Sequence, residues 1–404
     1  MKIGLIKETK IPEDNRVALT PDEIVALVHE FPGCEFVVQK SDIRAFSDEE
    51  YMCRGIELVE RVDDCDVLLG IKEADIASLI PNKHYFFFGH IAKMQPYNKP
   101  LLKRMMELGI TFSDYEYLVD EKGHRLCAFG WWAGVVGVYN TLRAYGLRNR
   151  TFELPKPDKR FTLSYMLEEA KKPIYSYLKI VVTGNGRVSH GAQHFLDEVG
   201  IKRVQPQEFL EEDFEYPVYT VVKLPDIVCH VDGVSVFDRE EFHTSPSLYK
   251  SNFFPYAKVA NVLISCHYWG PEDPVYLKKE DLRNPEVKIK VIGDVTCDIM
   301  GSVQSTLRAS THQNPFYDYN PYAEKEEEAF SSDKNITVMA VDTLPNALAL
   351  DTSEYFGKTL VKYVIEDILN GRMESSDVIE RATILKNGKL TERFAYLRDY
   401  AWSD

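Results

Sequence analysis

The sequence predicts an α/β protein with two domains, each built on a parallel sheet. Apolar runs without polar alternation, at 67–71 and 85–88, are typical of strands covered on both faces. Helical patterns at 21–31 and 99–109 separate such runs, as in βαβ units. The length of 404 residues exceeds the size at which one core usually divides into two, so we expect two domains.

Ionisable residues follow the predicted strands of the first 130 residues. Ligands of open α/β sheets bind at the carboxyl ends of strands, so these residues predict a site. A lone histidine there can equally cap its strand, but four such strand ends favour function. A lysine beside a histidine in a cleft has its pKa lowered by burial and like charge, and it can then do acid/base work. The residues are Lys10 and Arg16, then Lys72 and Glu73, then His90, then Asp114 and Glu116.

The net charge of −15 argues against nucleic acid or an anionic membrane as a partner. Seven cysteines are scattered without a CxxC pair, so we predict free thiols and no metal site. No signal peptide is recognisable at the start, and no run of about 18 apolar residues could span a bilayer. A cytoplasmic protein is therefore expected.

The segment 177–200 predicts a dinucleotide site. A strand leads into Gly184-Asn185-Gly186 and straight into a helix that ends at Gly200. The glycines allow a tight turn and close approach to a pyrophosphate, which the helix N–H groups attract. We assign Gly184, Gly186, Arg187 and Val188 to this site, and Arg187 can reach a phosphate. Ser189 stands where a third glycine is usual; the alternative is that the glycines only make a turn.

The residue that distinguishes the two nicotinamide dinucleotides is expected about 20 residues beyond the glycines. Gln205 stands there, with Lys202 and Arg203 nearby. A neutral residue beside cations favours NADP slightly over NAD, whereas a shift in alignment to Glu208 would favour NAD.

Later segments complete the second predicted sheet. Strands at 262–266 and 290–298, the latter containing Asp294, are its fourth and fifth, and Asp342 ends a further strand. We expect Asp294 and Asp342 on the nicotinamide side of the cofactor site. The charge run at 323–330 predicts a solvated helix face. The apolar segment 129–147 predicts a long helix whose small residues pack closely on another backbone, bridging the two domains.

Several stretches resemble a known family. ETKIPEDNRVALTP is similar to the alanine dehydrogenase and transhydrogenase superfamily. Within it, the chain resembles the lysine:2-oxoglutarate reductase, or lysine-forming saccharopine dehydrogenase, family, here expected without a second dehydrogenase fused behind it. The stretches are YFFFGHIAKMQ, DYEYLVDEKGHRLCAFGWWAGVVG, VVTGNGRVSHGAQ, FDREEF, LISCHYWGPEDPVYLKKEDL and AVDTLPNALALDTSEYFG.

The resemblance implies two Rossmann-like domains with parallel sheets and a cleft between them. Residues 1–140 with 343–404 would form the substrate domain, and residues 141–342 the dinucleotide domain. By the same resemblance each candidate residue of the first domain receives a role. These are acid/base catalysis for Lys72 and His90, tuning of that pair for Glu73 and Glu116, contact with substrate carboxylates for Arg16 and Arg125, and a place beside the site for Lys10.

The expected function is that of an oxidoreductase that uses NADP or NAD to condense lysine with 2-oxoglutarate reductively to saccharopine, or the reverse. Its partners would be small molecules, an amino acid and a 2-oxo acid, and a homo-oligomer stays open. Three alternatives remain at this point. They are an alanine- or opine-type dehydrogenase for another amine and oxo acid, a non-catalytic dinucleotide sensor, and a subunit that serves a partner protein.

Overall fold

A computed structural model describes residues 1–402 and divides the chain into two compact units. Unit 1 contains Met1–Phe129 and the chain from Ala349 onward, and unit 2 contains Gly130–Leu348. The sequence-based boundaries, at 140/141 and 342/343, differ from these limits. A boundary after residue 140 would cut a continuous helix, Gly130–Asn149, which packs on the second sheet where Thr141 meets the backbone of Gly293.

The strands of the described residues alternate with helices through most of the chain. They are β1 Lys2–Leu5, β2 Glu35–Gln39, β3 Glu57–Val59, β4 Val67–Leu69, β5 His84–Phe87, β6 Thr111–Asp114, β7 Lys179–Thr183, β8 Lys202–Arg203, β9 Val218–Val222, β10 Val228–His230, β11 Tyr249–Ser251, β12 Val262–Ser265, β13 Val291–Asp294, β14 Phe316–Asn320, β15 Lys325–Glu327, β16 Ile336–Met339, β17 Thr383–Lys386 and β18 Lys389–Leu390.

The helices are α1 Pro21–Glu30, α2 Asp48–Met52, α3 Lys99–Glu107, α4 Gly130–Asn149, α5 Leu163–Ala170, α6 Arg187–Glu198, α7 Pro206–Glu211, α8 Leu224–Ile227, α9 Arg239–Thr244, α10 Phe254–Val259, α11 Ala349–Leu360, α12 Glu366–Leu369, α13 Asp377–Ala382 and α14 Leu397–Trp402. A π-helical turn, Val361–Ile365, joins α11 to α12.

Unit 1 is built on a mostly parallel sheet in the order β18-β17-β6-β5-β4-β1-β2-β3, which has eight strands among residues 1–402. β4 is buried throughout, and in β5 only the first residue is partly exposed, as uninterrupted apolar runs predict. Apolar cores cover both faces. The C-terminal segment returns to pair β17 antiparallel with β6, so it supplies one edge of the sheet.

The sheet of unit 2 has the order β15-β14-β16-β13-β12-β7-β9-β8, again eight strands within the described residues. Its central strands are parallel, whereas β14 and β15 form an antiparallel hairpin at one edge. The prediction of a helix at the charge run 323–330 was therefore wrong. Two of its glutamates lie on β15, where Glu326 pairs with Arg308 and Glu327 accepts from Asn320, so cross-strand contacts decide the conformation.

Helices α4 and α6 of unit 2 touch through glycines. A Cβ on Gly191 would lie 1.9 Å from the Trp131 carbonyl oxygen, and one on Gly134 would lie 1.9 Å from the Val188 carbonyl oxygen. Ser189, in the usual place of the third glycine, is fully buried, and its hydroxyl accepts from Gln193 at 3.0 Å. The close approach thus depends on Gly191, two residues later, and it fixes the helix that follows the glycine loop.

Replacing Gly191 by Ala should destabilise unit 2. Overpacking a rigid site costs about 1–3 kcal/mol, and here the obstacle is backbone that cannot rotate away. Alanine recovers about 1 kcal/mol of helix propensity, so we expect a net loss of up to about 2 kcal/mol. Urea denaturation measures it, with Gly33→Ala as the control, since a Cβ there meets no atom within 4 Å. Equal midpoints for the two variants would contradict the prediction.

Candidate active site

The structure brings the candidate residues of unit 1 to the carboxyl ends of neighbouring strands. Lys72 and Glu73 follow β4, His90 follows β5, and Glu116 follows β6, and these three strands are adjacent in the sheet. Lys10 comes from the segment after β1, on the other side of β4. Parallel strands deliver their carboxyl ends to one edge, so side chains distant in sequence share a surface.

Glu73 is the centre of this cluster. Its Oε1 lies 3.1 Å from His90 Nδ1, and its Oε2 accepts from Lys10 Nζ at 2.6 Å. Burial opposes ionisation, but these hydrogen bonds outweigh it and lower the pKa of Glu73 to about 2. An ionised carboxylate only accepts, so Nδ1 of His90 carries the proton, and Nε2 is the ring nitrogen available for exchange with a substrate.

Lys72 neighbours the same carboxylate. Burial lowers the pKa of its amine, the charges of Arg16 and Lys10 lower it further, and Asp14 and Glu73 partly oppose the shift. Its backbone N–H donates to Glu8 Oε2 at 2.9 Å, and the N–H of Ile71 donates to Oε1 at 2.6 Å. Glu8 therefore holds the turn that presents Lys72.

Arg16 is almost completely buried, with 4% of its surface exposed. Its Nε and Nη2 donate to the two oxygens of Asp14, and its guanidinium lies 4.3 Å from the centre of the Phe129 ring. Burial raises the pKa of Asp14, but the Arg16 charge and hydrogen bonds lower it overall. Nη1 is the guanidinium nitrogen not bonded to Asp14.

Glu116 forms a second cluster with two cations. Its carboxylate is 4% exposed, and Oε1 pairs with Arg125 and lies 3.3 Å from Lys93 Nζ. The other oxygen, Oε2, is buried and has no hydrogen-bond partner among residues 1–402. This oxygen can accept a hydrogen bond from a ligand.

The Asp114 carboxylate bonds the backbone beside both clusters. His90 has φ of 51°, in the left-handed region that few side chains adopt. The Asp114 carboxylate accepts from the backbone N–H of Gly89 at 3.1 Å and of Glu116 at 2.9 Å, and it also bonds the backbone of His90. A buried acceptor at the end of β6 thus holds the strained turn at His90.

Asp114→Asn should change how stability depends on pH. Burial raises the pKa of Asp114 to about 7, whereas an unfolded chain titrates it near about 4. Between those values the folded state holds a proton that the unfolded state has lost, so the free energy of unfolding falls as pH rises. Asparagine does not titrate, so the slope should become less negative by up to about 1.4 kcal/mol per pH unit.

Urea denaturation at about pH 5, 6 and 7 measures that slope. Glu121→Gln, at an exposed position of the same unit, is the control. Identical slopes in Asp114→Asn and the wild type would mean that Asp114 does not titrate in this window.

Sequence reasoning did not identify Glu8, Asp14 or Lys93, and it named Asp114 only as a polar residue at a strand end. Glu8 and Asp114 carry the signal used for the others, a polar residue at a strand end. Asp14 precedes Arg16 by two residues in a segment of mixed charge, and Lys93 lies three residues after His90. Only the folded structure pairs them with their partners.

The glycine loop of unit 2 follows β7 as predicted. Gly184 has φ of +93°, and a Cβ there would lie 2.8 Å from the Cys266 carbonyl oxygen and from the His267 Cα atom. Gly186 precedes α6, and a Cβ there meets nothing within 4 Å. Arg187 and Val188 begin α6, and together with Gly184 and Gly186 they line a cavity of about 830 Å³. An open cradle at a helix N-terminus fits a dinucleotide pyrophosphate.

Gln205, the residue expected to distinguish the two dinucleotides, does not follow the strand beside β7. Gln205 follows β8, but β8 pairs with β9 at the outer edge, and β9 is the neighbour of β7. Gln205 is exposed there, before α7, and does not line the cavity.

Asp294 and Asp342 have different environments. Asp294 is fully buried at the end of β13, and its oxygens accept from Thr296 and Thr306 at 2.7 and 2.6 Å. Burial raises its pKa to about 6, and its contacts hold the following loop together. Asp342 is exposed, and its charge contributes to the raised pKa of the Cys297 thiol, which burial mainly causes.

Within residues 1–402, no helix combines the length and the apolar character that a bilayer crossing requires. No group of three or more His, Cys, Asp or Glu side chains in the same residues is arranged to hold a metal ion.

Comparison with known proteins gives consistent relatives. The family model "Alanine dehydrogenase/PNT, N-terminal domain" matches residues 4–136. Alpha-aminoadipic semialdehyde synthase from Arabidopsis thaliana is 30% identical over 98% of this chain and 41% of its own length. The Mus musculus protein of that name is 29% identical over 95% of this chain and 46% of its own length. The chain thus spans less than half of these two relatives.

A third relative matches along its whole length. The saccharopine dehydrogenase [NAD(+), L-lysine-forming] of Emericella nidulans is 26% identical over 96% of this chain and 97% of its own. Among solved structures, an L-alanine dehydrogenase superimposes with a TM-score of 0.65 and 16% identity, covering 97% of each chain. The transhydrogenase of Sinorhizobium meliloti gives 0.60 and 14%, covering 97% of this chain and 100% of its own.

The fold is that of the alanine dehydrogenase and transhydrogenase class, whose members use NAD(P) nucleotides. Acidic and basic groups at the strand ends of unit 1 and a glycine cradle in unit 2 accord with that class. Within that class, the chain is similar in sequence to alpha-aminoadipic semialdehyde synthases and to lysine-forming saccharopine dehydrogenases, and the latter are oxidoreductases acting on C–N bonds.

Proposed function

We propose that this protein condenses the ε-amine of lysine with the carbonyl of 2-oxoglutarate and reduces the product to saccharopine, or runs the reverse reaction. One observation carries the proposal: Glu73 bonds His90 and Lys10 at once, while Lys72 beside it has a lowered pKa. Such a set can supply a proton donor and a proton acceptor, which carbinolamine formation and its dehydration both need.

Lys72 takes the proton as the lysine amine attacks the carbonyl carbon. Burial and the neighbouring cations lower the pKa of Lys72, so a larger fraction is neutral and able to accept. The C–N bond forms as the carbonyl π bond breaks, and the oxygen takes the proton back from Lys72 to become the carbinolamine hydroxyl.

His90 then protonates this hydroxyl, which leaves as water while the imine forms. Ionised Glu73 bonds Nδ1 of His90, which fixes the orientation of the ring. Nε2 is then the ring nitrogen that donates the proton. NADPH or NADH, held at Gly184, Gly186 and Arg187, would supply a hydride to the carbon of the protonated imine, which would give the secondary amine of saccharopine.

The cations bind the substrate carboxylates. Nη1 of Arg16 takes no part in the hydrogen bonds to Asp14. Arg125 is a half-exposed cation that pairs with Glu116. A guanidinium offers donors in a fixed fork that suits a carboxylate. In a protein of net charge −15, such local cations are needed to attract an anionic substrate.

The test is the oxidation of NADPH or NADH by purified protein with lysine and 2-oxoglutarate, each also omitted in turn. We expect turnover only with all three components and saccharopine by mass spectrometry. Ornithine and alanine in place of lysine test another amine, and turnover with these alone would reassign the substrate. Dinucleotide binding without turnover on any amine would indicate a sensor and refute the proposal.

A further inference from the structure

The strand order of unit 2 identifies a residue that selects between the two dinucleotides, an inference that rests on the proposed dinucleotide-dependent function. In dinucleotide folds, the group that contacts the adenosine ribose follows the strand beside the first one, because that strand end lies next to the glycine loop. The neighbour of β7 is β9, although β8 comes between them along the chain.

Hydrogen bonds between β7 and β9 fix the point at which the chain leaves β9. Thr183 pairs with Val222 across the two strands, and the backbone N–H of Gly184 donates to the Val222 carbonyl at 2.9 Å. Lys223 is the next residue, so it leaves β9 directly beside the glycine loop. Its backbone N–H donates to Asp226 at 2.8 Å, which turns the chain into α8.

Lys223 is a cation where an acidic residue would hold a ribose 2′-hydroxyl. It is exposed and lines the same cavity as Gly184, Gly186 and Arg187. Asp226, the first acidic residue after β9, caps α8 and does not line the cavity. The site therefore lacks the carboxylate that favours NAD and repels a 2′-phosphate.

A second cation faces the cavity from α9. Arg239 lines it, and neither Arg239 nor Lys223 forms an ion pair with a carboxylate within residues 1–402. Among the described lining residues the one acidic side chain is Asp273, whose carboxylate accepts from the Gly270 N–H at 2.8 Å. The cavity is locally cationic in a strongly acidic protein, which suits a dianionic phosphate.

The cavity also has an apolar part. Leu224, Ile227, Phe237 and Phe242 line the cavity with apolar surface, which suits the flat face of an adenine ring. We propose that Lys223, with Arg239 as a second cation, binds the 2′-phosphate of NADP and makes this site select NADP over NAD.

The experiment measures binding without substrates. Titration of the full-length protein with NADPH and with NADH, followed by nucleotide fluorescence, gives the two dissociation constants. We expect NADPH to bind at least about tenfold more tightly. Lys223→Asp should weaken NADPH binding at least about tenfold and change NADH binding little, and Lys223→Gln should have a smaller effect of the same sign.

Two variants make the test specific. Gln205→Glu changes the position that chain order alone would select, and we expect it to leave the NADPH/NADH ratio unchanged. Lys250→Asp repeats the charge reversal at an exposed residue of β11 that does not line the cavity, and its ratio should equal the wild-type one.

The outcomes separate this inference from the proposed function. If neither dinucleotide binds, the proposed function itself fails. Comparable binding of NADPH and NADH by the wild type, or an unchanged ratio in Lys223→Asp, overturns the inference alone. A ratio that moves in Gln205→Glu and not in Lys223→Asp assigns the selection to Gln205 instead.

Discussion

Replacing Lys72 by Met is expected to lower turnover by about 10²–10⁴-fold, the usual contribution of a general acid or base. Methionine has nearly the length of lysine but no amine, so the proton acceptor disappears while the packing changes little. The pKa of Lys72 is lowered first by burial and then by Arg16 and Lys10, an environment that the variant leaves in place. Dinucleotide affinity should stay nearly unchanged, since the glycine cradle lies in unit 2.

Steady-state rates with lysine and 2-oxoglutarate, and dinucleotide titrations, measure the two quantities separately. Lys122→Met removes an exposed amine from the same unit and serves as the control. A Lys72→Met enzyme with a wild-type rate would discard the acid/base role. If the dinucleotide affinity fell and the rate did not, Lys72 would be a binding residue.

Replacing Arg16 by Met is expected to lower the free energy of unfolding by about 3–5 kcal/mol, the cost of removing one partner of a buried ion pair. Asp14 is almost completely buried, and in the variant its carboxylate would lose both side-chain hydrogen bonds and the charge that stabilises it. The stacking of the guanidinium on Phe129 is lost as well.

A matched control lies in the same unit. Arg61 and Asp63 have the same spacing and the same two-fold hydrogen bonding, but they are exposed. Arg61→Met should leave the denaturation midpoint unchanged, because exposed pairs contribute little. The double variant Arg16→Met, Asp14→Asn should recover part of the loss, since no unpaired charge remains. Equal midpoints for Arg16→Met and Arg61→Met would contradict the prediction.

The sequence was sufficient for the strand ends of unit 1. Apolar runs reveal buried strands locally, so the polar residues that follow them, including Lys72, His90 and Glu116, could be found by position. Their partners could not. The bond between Glu73 and His90 joins residues 17 apart, and Glu8 reaches the Lys72 turn across 64 residues. Such contacts depend on strand order, which periodicity does not specify.

Two other positions show the same limit of sequence patterns. Gln205 follows the second strand of unit 2 along the chain, but β8 is two residues long and pairs only with β9, so distance along the chain does not give adjacency in the sheet. At 323–330 the charges correctly indicate exposure to water, yet exposure does not distinguish a helix from the edge of a sheet. The hairpin with β14 decides, through pairs such as Tyr319 with Glu326.

The return of the C-terminal segment to β6 has a consequence for biosynthesis. Unit 2 occupies one continuous stretch, so it can complete its sheet while the ribosome has yet to translate β17. Unit 1 must wait with the β6 edge unpaired until residues 383–390 emerge, and exposed edges invite aggregation. Nascent chains should therefore depend on chaperones longest in the segment Met1–Phe129, which is synthesised first.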